Sequence, residues 1–165
     1  MSSKMLWSIF NIDIMKKKNT LLLFLCLFSL WAVAQEKKPV KIACVGNSIT
    51  YGSGIKNQFQ NSYPGLLSQL LGEGYDVRNF GISARVLLNK GDHPYMHEQK
   101  FRDLLAFQPD IVTIKLGTND SKPWNWCYGK DFKKDLTEML DMLQDLPSKP
   151  KIYLCLPVPA VNSNF

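Results

Sequence analysis

Val40 to Val45 is an almost unbroken apolar run, with Lys41 as its one charged member. A strand that faces water on one side alternates polar with apolar side chains, so this run belongs to a strand covered on both faces, as in a parallel sheet. Further strand segments follow at Tyr75 to Phe80, Ile111 to Leu116 and Lys151 to Leu156, with stretches of helical character between them. Asn61 or Ser62 can cap a helix that carries Pro64 in its first turn, sets Leu66, Leu67, Leu70 and Leu71 on one face against the sheet, and stops at Gly72. Phe101, Leu104 and Leu105 mark a helix ending before Pro109, and Phe132, Leu136, Met139, Leu140 and Leu143 follow helical spacing as core residues. The order β-α-β-α-β-α-β predicts an α/β fold, a three-layer α/β/α sandwich on a parallel, flavodoxin-like sheet. Four strands are present. A fifth strand and a last helix are expected to be missing, which leaves one sheet edge uncovered and the chain incomplete at its C-terminus.

The 165 residues, 45% of them hydrophobic, suffice for one ordinary core. Lys4, Lys16, Lys17 and Lys18 against Asp13 supply half of the formal charge of +6. The remaining lysines are scattered among acids, so no footprint for nucleic acid is present. Lys16-Lys17-Lys18, the apolar run Leu21 to Ala34 and the closing Ala32-Val33-Ala34 have the three-part layout of a secretory signal peptide. Cleavage is expected after Ala34, with residues 35–165 as the mature domain, exported to the periplasm or secreted. The run is shorter than the roughly 20 residues of a spanning helix, which argues against a permanent membrane span. Residues 1–14 read as an extension ahead of Met15, an alternative start. Cys44, Cys127 and Cys155 lack metal-ligand or disulfide-framework spacing, so no metal is expected, and Cys44 and Cys155 are read as core packing.

Ligands of open parallel sheets gather at the carboxyl ends of the strands. The loop after the first strand holds Gly46-Asn47-Ser48, whose tight turn presents a serine hydroxyl and backbone N–H groups at the sheet edge. Gly81 follows the second strand, and Gly117-Thr118-Asn119-Asp120 follows the third, where the Asn119 amide is a neutral donor. Taken singly, each is ordinary turn chemistry.

In this order Gly46-Asn47-Ser48, Asn79-Phe80-Gly81 and Gly117-Thr118-Asn119-Asp120 resemble the SGNH, or GDSL-like, hydrolase family from about Val40 to Pro159. Within that family the chain is similar to carbohydrate and sialate O-acetylesterases. The resemblance implies that Ser48 is the nucleophile of a serine esterase, with the Ser48 and Gly81 N–H groups and the Asn119 amide as the oxyanion hole. Gly46, Asn47, Gly117 and Asp120 support the motifs. Asn47 stands where the family name has Asp, and both side chains can bond local backbone. The implied substrate is a small-molecule or glycan ester, and no cofactor is implied.

The family's Asp-x-x-His motif has no match, and His93 and His97, the only histidines, are read as surface residues. An unactivated serine is a poor nucleophile, so this chain alone is expected to be nearly inactive and the activity to belong to a full-length parent. Trp124, Trp126 and Tyr128 serve either as stacking surfaces for a sugar or as packing within their loop. Two other readings stay open: a flavodoxin-like domain whose Ser48, Thr50 and Ser53 hold a flavin phosphate, and a non-catalytic sugar-binding remnant.

Overall fold

The computed structural model describes residues 38–157. The expected signal segment, its cleavage site, the extension before Met15 and the residues after Pro157 lie outside them. Four parallel strands form one sheet: β1 (Val40–Gly46), β2 (Tyr75–Gly81), β3 (Ile111–Lys115) and β4 (Lys151–Leu154), in the order β2-β1-β3-β4. This is the parallel arrangement expected, with each strand within two residues of its predicted limits. Six α-helices accompany it among the described residues: α1 (Ser48–Tyr51), α2 (Gln58–Asn61), α3 (Tyr63–Leu71), α4 (Gln99–Phe107), α5 (Pro123–Trp126) and α6 (Phe132–Gln144). No helix among the described residues is long and apolar enough to cross a membrane.

Alternation along the central strands divides the two faces. Ala43 and Val45 of β1, with Val112 and Ile114 of β3, join Phe101 and Leu104 of α4 and Met139 and Leu143 of α6 in the main core. The intervening Cys44 and Thr113 belong to the opposite face, where the Tyr63 hydroxyl at the start of α3 lies 3.2 Å from Thr113 Oγ1. Burial pushes both the Cys44 thiol and the Tyr63 phenol above their ordinary pKa values.

Helix α3 departs from its expected packing. Leu70 is 84% exposed and Leu66 is also exposed, so the four leucines do not bury together. The helix is three turns or less and its Pro64 is buried, so the N-terminal end makes the contact with the sheet and the C-terminal end projects. Ser62 occupies the N-cap without a side-chain cap bond. Cys155 is exposed and not core as expected, because it lies past the end of β4, an edge strand with no neighbour on its outer side among the described residues.

Candidate active site

Strand register builds the site. Gly46 pairs with Gly81 on one side and Lys115 on the other, so the ends of β2, β1 and β3 lie level. Neighbouring strands are about 4.8 Å apart, which brings the loops carrying Ser48, Gly81 and Asn119 to one edge of the sheet.

Asn47 makes the turn that presents Ser48. It is 1% exposed, and its Oδ1 accepts the Ile49 N–H at 3.0 Å as N-cap of α1. The motif position that departs from the GDSL pattern therefore bonds local backbone as expected. A Cβ on Gly46 would overlap the Thr50 side chain and approach Lys115 O to 2.8 Å, so only glycine lets the strand end so close beneath α1. Ser48, half-buried, opens that helix, and its N–H is among the donors a helix start leaves without an internal partner. Among the described residues no hydrogen bond engages the Ser48 hydroxyl. His93 and His97 are exposed, and neither imidazole bonds to Ser48.

Gly81 differs from the sequence expectation in what its missing side chain accommodates. A Cβ there would meet Thr50 C and Tyr51 Cα at 2.8 Å, so the glycine admits the backbone of α1. Its N–H donates to Asn79 Oδ1 at 2.9 Å, and an oxyanion would share or take over that donor. Asn79 Nδ2 in turn donates to Thr50 O at 3.0 Å and Tyr51 O at 3.3 Å, tying α1 to the end of β2. The carbonyl of the same peptide, Phe80 O, accepts the buried Tyr95 hydroxyl at 2.6 Å. Such a bond polarises the amide and makes its N–H a better donor. Asn79 and Tyr95 received no role from the sequence. The signal for Asn79 was its place two residues before Gly81, whereas nothing local marks Tyr95.

Asn119 is half-buried, and its Nδ2 donates to Arg85 O at 3.0 Å, leaving the second amide hydrogen for a ligand. The Asn119 carbonyl accepts from Asn125 Nδ2 at 3.0 Å. Asn125, 1% exposed, also donates to Asp92 Oδ1 and accepts the Asp92 N–H. Asp120 is fully buried, and its Oδ1 accepts the N–H groups of Leu87 and Leu88, both at 2.8 Å. Burial raises its pKa and these N–H bonds oppose the rise. Asp120 thus pins the loop after β2 to the loop after β3.

The aromatic loop contains α5, which the sequence left irregular. Trp124 is 53% exposed, its Nε1 donates to Asp92 Oδ2 at 3.1 Å, and Lys122 Nζ lies over its ring. Trp126 packs on Phe132, ring centroids 6.0 Å apart, and against Gly129. Burial favours the neutral Asp92 carboxyl, yet the Trp124 and Asn125 bonds, together with neighbouring positive charge such as Lys122, lower the pKa. The flavin-phosphate reading fails on its donors: Thr50 is fully buried, and Ser53 Oγ is 2.6 Å from Ser83 Oγ. Beside Gly81 lies a hollow of about 470 Å³ lined by Tyr51, Ile82, Ser83, Arg85 and Lys100.

The model of the GDSL-like lipase/acylhydrolase family matches residues 44–165. An acetylxylan esterase from Xylanibacter ruminicola is 49% identical over 149 residues, covering 80% of this chain and 31% of that protein. The chain therefore spans about a third of the length of this relative. Among solved structures, a lipolytic protein of the G-D-S-L family from Desulfitobacterium hafniense DCB-2 aligns with a TM-score of 0.58 at 22% identity, over 74% of this chain and 62% of that one. A carbohydrate acetylesterase from Sinorhizobium meliloti aligns at 0.55 and 21% identity, over 70% and 62% of the respective chains. These structures share the fold.

Proposed function

The chain belongs to the GDSL-like lipase/acylhydrolase family, and on that premise we propose that it carries the nucleophile side of an exported esterase that removes O-acetyl groups from carbohydrate. The observation that carries the reading is the level register of Gly46, Gly81 and Lys115, which gathers the three motif loops at one sheet edge. Its similarity to an acetylxylan esterase points to an acetylated polysaccharide as the substrate class.

In this reading Ser48 attacks the ester carbonyl, and negative charge forms on the carbonyl oxygen. The Ser48 N–H, the Gly81 N–H and the free amide hydrogen of Asn119 receive it. The alcohol leaves as the tetrahedral species collapses, and water hydrolyses the acyl-serine. Deprotonating Ser48 and protonating the leaving alcohol require a base within hydrogen-bond reach. No imidazole among the described residues provides it, so turnover is assigned to the full-length protein. Trp124, Trp126 and Tyr128, all partly exposed, support a sugar-facing wall on the β3 side, with the Trp124 ring held in place by Asp92.

The test is acetate release from acetylated xylan and from p-nitrophenyl acetate by the full-length protein and its Ser48→Ala variant. We expect turnover by the parent and its loss in the variant with the fold retained. A folded parent that hydrolyses neither ester, or a Ser48→Ala variant that remains as active, would overturn the assignment.

A further inference from the structure

A cavity of about 950 Å³ runs along the β2 edge of the sheet between residues 76–79 and helices α2 and α3. Ser48 does not line it. Tyr51 and Lys100 line both this cavity and the hollow beside Gly81, so the two spaces meet at the catalytic edge. Because β1 lies between β2 and β3, this cavity is on the opposite side of Ser48 from the tryptophan loop.

Its walls have one chemical character. Gln58 Nε2 donates to Tyr51 O, Asn61 Nδ2 to Lys56 O at 2.7 Å, and Gln69 Nε2 to Gln60 O at 2.9 Å. Each amide is anchored through its nitrogen to a main-chain carbonyl, and no protein donor among the described residues reaches its oxygen. The result is a set of fixed acceptors for hydroxyl donors. Phe59, on the same wall, is 93% exposed, a ring face with no protein partner to justify its position in water. Little net charge remains: Arg78 pairs with Asp76 at 2.8 Å, which leaves Lys100, held at the junction by its bond to Gly81 O at 3.1 Å, as the single uncompensated cation of the lining. An acyl chain would need apolar walls and a polyanion a surplus of free cations. Fixed amide acceptors beside one exposed aromatic ring suit a neutral chain of sugars, whose hydroxyls donate and whose C–H faces stack.

We infer that this cavity holds the unreacting part of a neutral oligosaccharide whose acetyl group lies at Ser48, with Tyr51 and Lys100 at the junction. The inference rests on the esterase reading above and adds where the glycan runs.

The experiment compares Phe59→Ala and Gln69→Ala with the full-length parent on an acetylated xylo-oligosaccharide and on p-nitrophenyl acetate, which is too small to reach the cavity. Leu70→Ala, exposed and outside the cavity lining, serves as the control. For each cavity variant we expect kcat/KM on the oligosaccharide, relative to the small ester, to fall about tenfold, mainly through KM. In the Ser48→Ala background, xylohexaose should shift the amide resonances of residues 58–61 and 76–79, and Phe59→Ala should weaken that binding. A ratio held within about twofold for both variants, or resonances unmoved by xylohexaose, overturns the proposal. A parent that binds xylohexaose here but hydrolyses neither ester sinks the esterase reading and leaves the glycan site standing.

Discussion

Asn119 divides its amide between two tasks. One hydrogen fixes the side chain on Arg85 O, and the other is available to an oxyanion. Asn119→Ala in the full-length protein should therefore lower kcat on p-nitrophenyl acetate by about 10²–10³. The lost anchor should cost only about 1 kcal/mol in urea unfolding. A rise in KM with kcat unchanged would mean that the residue binds ground state and transition state alike and is not an oxyanion donor. Asp120 offers a test that needs no turnover. Its pKa is raised by burial, so the folded state favours the protonated acid, and its contribution to stability is complete below the ordinary carboxylate pKa of about 4 and falls as pH rises through the native value. Relative to Asp120→Asn, which keeps an acceptor for Leu87 and Leu88 N–H, the parent should lose stability over that rise and then level off. Urea unfolding at a series of pH values checks this, and a pH-independent difference would show that the native carboxyl is not perturbed.

Among the elements, the turn after β1 and the end of β2 behave as one piece, because Gly81 lies against Thr50 and Tyr51 while Asn79 bonds both carbonyls. Gly81→Ala places a methyl group on backbone atoms that cannot rotate away, and we expect a loss of at least about 3 kcal/mol in urea unfolding. A loss below about 1 kcal/mol would show that the turn yields. The strands that make this junction were legible because two-sided burial leaves continuous apolar runs, such as Val40 to Val45 and Ile111 to Leu116. The motif loops were legible through Gly46, Ser48 and Asn119, residue types with specific backbone or donor roles. What escaped depends on contacts between distant segments. The Tyr95 hydroxyl finds Phe80 O, Asn79 reaches Thr50 O and Tyr51 O, and Asp120 reaches Leu87 and Leu88, and no local pattern encodes these partners. Helical spacing in α3 likewise gave a stripe of leucines without saying how far the sheet extends beneath it, and Leu70 falls beyond its cover.

At the scale of the whole molecule, β4 has no neighbour on its outer side among the described residues, and Tyr153 and Leu154 on it and Leu156 just past its end are exposed, Leu156 by 92%. Unpaired strand edges of this kind template association. The chain of 165 residues should self-associate with rising concentration in analytical ultracentrifugation, and Leu154→Lys should reduce this while leaving the far-ultraviolet dichroism unchanged. An equally monomeric parent would show that the edge is protected. The strand order also sets a schedule for synthesis. Among the described strands β1 is the first to leave the ribosome, yet it sits between two strands made later. At about 5–20 residues per second, the roughly 70 residues from Ile42 to its β3 partner Ile111 take on the order of 4–14 s to appear. Throughout that interval the strand that leads into the Ser48 turn has one backbone edge with nothing to pair with and apolar side chains on both faces, which is a window for a chaperone to hold the nascent chain.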